Sequence, residues 1–445
     1  MGENGQPPGR EASGGGRLSV LRNRNFSLLW FGQIISNSGA WMQIVAQGWL
    51  VYNLTDSPFY LGVVGMARAI PMIVLPPMGG VIADRMPRLK LLKVTQTTMF
   101  LNALVLAGLV HTETVQIWQI VLIAFLAGAL NSFDQPSRQA LLPDLVRRED
   151  LAKAVALYSS AWQGASLFGP TLAGITIAAV GLAGAFYANA FGYFGVIAAL
   201  FLMRGVPERS AEPSGKGLTD DLVAGLRYVR GTRLILALIL LSAATNIFGR
   251  SYQQLLPVFA RDVFDEGSFG LGLMMSAPGA GTLAAAAALA VLADIQRKGV
   301  LFLAGMVMFS LTLVVFTLNR EFLPGIGLLF LVGVTSILFS SMMTTMLQLR
   351  AAPEMRGRVM SLVTVTMQGL APLGGLMTGS LATAIGTPEA VALSAAVVAL
   401  VAALAAAAVP EIRDFRSGAE EPPEAAAASA APAGHAPAAA VRSRT

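Results

Sequence analysis

The sequence predicts an all-α integral membrane protein, with twelve transmembrane helices in two pseudo-symmetric six-helix bundles. Three observations predict it. Hydrophobic residues make up 55% of the 445 and charged residues only 13%, about half the charge of a soluble domain. Apolar segments recur that are long enough to cross a hydrocarbon layer of ~30 Å, and the two-residue alternation of a barrel strand is absent. The same landmarks also occur twice. Ser57–Ala67 and Gly267–Ala277 open apolar segments 210 residues apart, which end in Ala83-Asp84-Arg85 and in Ala293-Asp294 with Arg297 and Lys298. Gln163, Gly164, Gly169 and Gly174 recur 205 residues later as Gln368, Gly369, Gly374 and Gly379. A duplicated order of landmarks implies two similar bundles around one shared site.

Taken in order, residues 1–25 are rich in Gly and Pro without an apolar core, which predicts a disordered N-terminus and no cleavable leader. The N-terminal bundle, 26–203, holds apolar segments at 27–52, 59–83, 91–110, 117–136, 153–178 and 184–203. Residues 204–232 are a polar linker with Pro207 and Pro213, and their amphipathic stretch Leu218–Val229 predicts a short helix on the inner membrane surface. The C-terminal bundle, 233–409, repeats the pattern at 234–259, 269–293, 300–318, 324–347, 359–385 and 389–409. Residues 410–445 are mostly Ala, Pro and Glu and read as a disordered tail.

Charge sets the orientation. With both termini cytoplasmic, every Lys and Arg except Arg68, Arg250, Arg261 and Arg320 falls on the inner side. The net charge of +6 therefore reports topology in a plasma membrane, and no nucleic-acid partner is expected. There is no cysteine, and the two histidines, His111 and His435, lie in a loop and the tail, so no metal site or cofactor is expected. The spans carry no serine–histidine pair, paired aspartates or zinc motif, which argues against an enzyme. The lipid bilayer and a small molecule are the expected partners of a monomer.

The polar residues within spans are the functional candidates. Gln33, Ser36, Asn37, Gln43 and Gln47 in the first span fall within an arc of about 120°, as do Ser242, Asn246, Arg250, Gln253 and Gln254 in the seventh. Polar stripes facing lipid are costly. The two stripes are therefore expected to wall one hydrated cavity, the other reading being hydrogen bonding inside each bundle. Arg250 and Arg68 each need a carboxylate, carbonyls or water, or an anionic group of a bound molecule; Arg250 is also close enough to the outer end to snorkel. Asp134 is the one acidic residue inside a span. It can carry a proton or pair with Arg138 one turn further on. Asp84 and Asp294 sit where a helix meets the cytoplasm and can accept from the N-terminal end of a helix in the other half. With Gly80, Arg85, Arg88 and Arg297 they are the candidate cytoplasmic gate. Gly169, Pro170 and Gly174 are a candidate flex motif in the fifth span.

Gly80-Val81-Ile82-Ala83-Asp84-Arg85-Met86-Pro87-Arg88 resembles the loop 2–3 signature of the major facilitator superfamily, with Pro87 where that signature usually has glycine. Gly169-Pro170-Thr171-Leu172-Ala173-Gly174 resembles the fifth-helix signature of proton-antiporting exporters, with Ala173 replacing a glycine. Asp134 to Val146 and Leu256 to Val263 are similar to the twelve-helix drug- and siderophore-exporter branch, including macrolide and enterobactin exporters. The resemblance covers about residues 20 to 410. It implies alternating access, export of amphipathic small organic molecules and coupling to the proton gradient, with helices 4 and 10 joining helices 1 and 7 around the cavity. A dedicated exporter of one secreted metabolite such as a siderophore is the alternative, and a non-transporting receptor a third reading. Where many superfamily exporters carry a helix-4 arginine, this chain has Ala124, so coupling through that residue does not carry over.

Overall fold

The computed structural model describes residues 19–75, 86–205, 218–291 and 296–415. The candidate gate residues Gly80, Asp84, Arg85 and Asp294 lie outside them. Among the described residues the chain is helical with no strand. Helix α1 (Arg24–Thr55) starts at Asn23, whose side chain accepts from the Phe26 amide, and stops where Asp56 turns left-handed. Next come α2 (Pro58–Val74), α3 (Arg88–His111) and α4 (Ile117–Leu145). Helix α4 runs nine residues beyond the apolar segment that ends at 136. Its internal Asp134–Arg138 pair lets charged residues continue the helix.

The stretch Arg148–Leu202 is too long for one crossing, since 55 residues of helix would extend roughly 80 Å. Gly181, at φ 77° and ψ 176°, is its one non-helical residue. It divides the stretch into α5 (151–180) and α6 (182–202), and packing shows that they run in opposite directions. The Trp30 indole of α1 donates to the Leu157 carbonyl and Trp41 packs on Gly169, whereas Gly32 meets Val196 and Gly39 meets Asn189. A side chain at 181 would meet no neighbour, so backbone conformation alone demands glycine there. Through Gly169 and Pro170 the helix continues without a break, and Gly169 packs against Trp41. The break at 181 is the turn between the fifth and sixth spans, in the interval the sequence left between 178 and 184.

The second half repeats this order. Helix α7 (Arg233–Val263) contains two π-helical turns, Thr245–Gly249 and Phe259–Val263. It is followed by α8 (Ser268–Val291), α9 (Lys298–Leu318), α10 (Phe322–Arg350), α11 (Arg356–Ile385) and α12 (Thr387–Ala408). Order extends beyond the boundaries read at 26 and 409, through the short helices Ser19–Arg22 and Pro410–Arg413. The linker helix Leu218–Gly231 is docked on the second half: Val229 is buried, Gly225 meets Arg358, and the Ala352 amide donates to the Tyr228 hydroxyl. Val229 and Tyr228 are thus partnered by protein, while Leu226 of the same helix stays 43% exposed.

The halves meet through two equivalent helix pairs, α2 with α11 and α5 with α8. A Cβ on Gly174 would lie 2.8 Å from the Ser268 carbonyl oxygen, and one on Gly379 2.7 Å from that of Pro58. Likewise a Cβ on Gly272 would lie 2.6 Å from the Pro170 oxygen, and one on Gly62 2.5 Å from the Leu376 Cα. Backbones approach this closely only over small residues. Four glycines of the repeated landmarks, Gly62, Gly174, Gly272 and Gly379, thus lie in the interface between the halves.

Candidate functional site

A buried network on three helices of the first half organises the site. On α4, Asp134 and Arg138 are one turn apart and pair at 2.5 Å, each 4% exposed. The other Asp134 oxygen accepts from Thr95 Oγ1 at 2.9 Å and Gln96 Nε2 at 2.8 Å on α3. Arg138 also donates to the Gln33 side-chain oxygen on α1, and Gln33 Nε2 donates to Asn37 Oδ1 at 2.6 Å. Burying two charges is costly unless their pairing and further hydrogen bonds compensate, which Thr95 and Gln96 do for Asp134 and Gln33 does for one Arg138 donor.

This network forms part of the wall of a cavity of about 890 Å³. Gln33, Ser36 and Asn37 line it from α1, Arg68 and Met72 from α2, and Asn131, Gln135 and Gln139 from α4. Tyr158 and Trp162 of α5 and Tyr193 of α6 supply aromatic surface, and among the described residues Pro372 of α11 is the one lining residue from the second half. Toward the face carrying the termini it reaches Leu142 and Val155. Arg68 lies ten residues from the start of α2, roughly 15 Å along the helix and so near the middle of a ~30 Å layer. Gly128 of α4 holds that turn close: a Cβ there would be 2.0 Å from the Arg68 carbonyl oxygen.

The remaining candidates are placed elsewhere. Gln43 accepts from Asn189 of α6 and donates to Gln47 at 3.4 Å, so both serve the α1–α6 contact inside the bundle. Asn246 donates to the Ser242 carbonyl at 2.8 Å, and with Arg250 it lines a separate pocket of only about 10 Å³ among Phe302, Met306 and Met343. Gln253 is exposed, and Gln254 sits on the bare backbones of Gly65 and Gly375 between α2 and α11. The π turn at Thr245–Gly249 explains the scatter. One extra residue in a turn rotates the remainder of the helix by about 100°, so the stripe drawn on a regular helix does not survive. Arg88 binds Asp144 and the Ala140 carbonyl, both at 2.8 Å, within the first half, and Arg297 is exposed just before α9. Thr95, Gln96 and the aromatic residues escaped the sequence reading. The polar run Thr95–Thr98 was the available signal for the first two.

At the opposite face the halves are latched. The Tyr52 hydroxyl donates to Asp262, Arg261 pairs with Asp56 at 2.7 Å and with Asp262 at 2.8 Å, and its guanidinium lies 4.1 Å from the Tyr52 ring centre. Thr171 Oγ1 and Ser276 Oγ are bonded at 2.8 Å nearer the middle. Among the described residues no hydrogen bond or ion pair joins the halves at the termini face. The described bonds between the halves thus lie at this face and in the middle, while the cavity reaches Leu142 and Val155 on the side of the termini.

The family described as transmembrane secretion effector matches residues 15–431. The staphyloferrin A transporter of Staphylococcus aureus is 28% identical over 355 residues, covering 78% of this chain and 87% of that protein. The multidrug efflux pump Tap of Mycobacterium tuberculosis is 26% identical, covering 82% and 90%. A bacterial homolog of the human lysosomal transporter Spinster, in an inward-facing and unoccupied conformation, superposes with a TM-score of 0.70 at 13% identity, covering 91% of this chain and 99% of its own.

Proposed function

Since the chain belongs to the transmembrane secretion effector family and is a membrane exporter of the major facilitator type, not an enzyme, we propose that it expels amphipathic small organic molecules from the cytoplasm by alternating access driven by proton antiport. The observation that carries this reading is the asymmetry of closure. The halves are bonded at the Tyr52–Asp262 end, while the 890 Å³ cavity extends toward the termini side as far as Leu142 and Val155. Placing both termini in the cytoplasm, as the distribution of Lys and Arg favours, makes this the state that loads cargo from inside. The lining suits an amphipathic guest, with Tyr158, Trp162, Tyr193 and Met72 beside amides and one ion pair. Rocking about the α2–α11 and α5–α8 contacts would expose the same residues to the other side. Asp134 is the acidic residue available for coupling, and proton delivery there would have to loosen its bond to Arg138.

Everted membrane vesicles carrying the overexpressed protein test this, with extracts of the producing cells supplied outside. Compounds should accumulate under an imposed acid-inside gradient, and an uncoupler should abolish accumulation; accumulation that survives the uncoupler removes the antiport assignment. A second reading, export of one secreted metabolite, is favoured by the 28% identity to the staphyloferrin A transporter. Comparing the compounds secreted by a deletion strain and its parent separates a single missing metabolite from broad efflux.

A further inference from the structure

We infer that the cargo carries an oxyanion group, a carboxylate or its chemical equivalent, that binds the Arg68 guanidinium at the middle of the cavity. The inference rests on the exporter reading and names the class of cargo. Among the described residues, three ionisable side chains with a fixed charge line the cavity: Arg68, Asp134 and Arg138. Asp134 and Arg138 cancel each other, and the Asp134 oxygens are engaged by Arg138, Thr95 and Gln96. Arg68 makes no hydrogen bond or ion pair among the described residues, and their lining therefore carries one uncompensated positive charge.

That charge is tolerable while the cavity is open and water hydrates the guanidinium. Closing the halves over a loaded cavity removes that water. A desolvated guanidinium without a counter-ion is costly, and a planar oxyanion matches its fork of donors with two parallel bonds. A cationic guest would confront the same charge in a low dielectric and is disfavoured. Position supports this assignment over Arg250. Arg250 faces a pocket of about 10 Å³, which admits little beyond a single water, whereas Arg68 faces a volume fit for a small organic molecule. The site is also absent from the second half. The contact of Gly128 with the Arg68 carbonyl is repeated by Gly333 with the carbonyl of Pro278, so proline occupies the equivalent position.

The test uses two xanthene dyes of similar frame and opposite charge, fluorescein and rhodamine 123. Binding is read by fluorescence anisotropy on the full-length protein in lipid nanodiscs, and transport by uptake into everted vesicles. Wild type should bind fluorescein more tightly than rhodamine 123. Arg68→Gln should weaken fluorescein binding roughly ten- to hundredfold, the size expected for a charged hydrogen bond, and leave rhodamine 123 no weaker. Arg68→Lys should recover part of the loss, and Arg68→Glu should reverse the preference. Equal or stronger rhodamine 123 binding by wild type, binding of neither dye, or a preference that survives Arg68→Gln overturns the assignment. Arg68-dependent fluorescein binding without vesicle uptake would leave the anion site standing and count against export alone.

Discussion

At the scale of the residue, the Asp134–Arg138 pair shows why ionisable groups persist in a span. Each completes the other, and Thr95, Gln96 and Gln33 complete both. Removing one partner strands a buried charge, which costs about 3–5 kcal/mol. Arg138→Met should therefore lower the unfolding midpoint of the purified protein by several degrees, while the double variant Asp134→Leu/Arg138→Met should recover most of that loss. Tryptophan fluorescence during thermal unfolding in detergent checks both, and equal losses in the single and double variants would show that the pair is not coupled. The pair was legible because a one-turn spacing of opposite charges can be read directly from the chain. Gln43 and Gln47 were not, because an amide's demand for a partner does not say whether water or Asn189 will meet it.

At the scale of the element, the glycines of α5 and α11 decide how closely the halves approach. Gly164 and Gly174 share one helix and look alike in sequence, yet a Cβ at 164 meets nothing within 4 Å and one at 174 would be 2.8 Å from a backbone oxygen. Gly164→Ala should leave export intact and stabilise α5 by about 1 kcal/mol through helix propensity. Gly174→Ala with Gly379→Ala should force the halves apart at a cost of about 1–3 kcal/mol and slow vesicle uptake roughly tenfold at unchanged protein level. Uptake rates and immunoblots of the same vesicles decide it. Periodicity revealed the helices, and the repeat marked Gly164 and Gly174 alike, so only the packing tells which of them the interface needs. The two π turns of α7 stayed hidden, since an extra residue in a turn leaves no mark in an apolar sequence.

At the scale of the whole molecule, closure of one face rests on few bonds. Arg261 stacks on Tyr52 and reaches Asp56, but Asp56 is 75% exposed, so the ion pair itself contributes little. Arg261→Ala should cost the closed face about 1 kcal/mol, mostly from the lost stacking, and raise the population opened on that side roughly fivefold. Because the chain has no cysteine, spin labels at introduced cysteines 113 and 321 report only their own separation. A longer-distance population that grows in Arg261→Ala is the expected result, and an unchanged distribution would remove the latch from the closing mechanism.

The exchange of Arg68 for Pro278 at matched positions has a consequence for how such a chain could arise. Two copies of the first half, assembled as a dimer, would bring a pair of guanidiniums face to face across the midplane, and two copies of the second would bring none. Covalent fusion through the linker fixes the ratio at one of each. Joining the repeats thereby places one arginine at this pair of matched positions in each molecule.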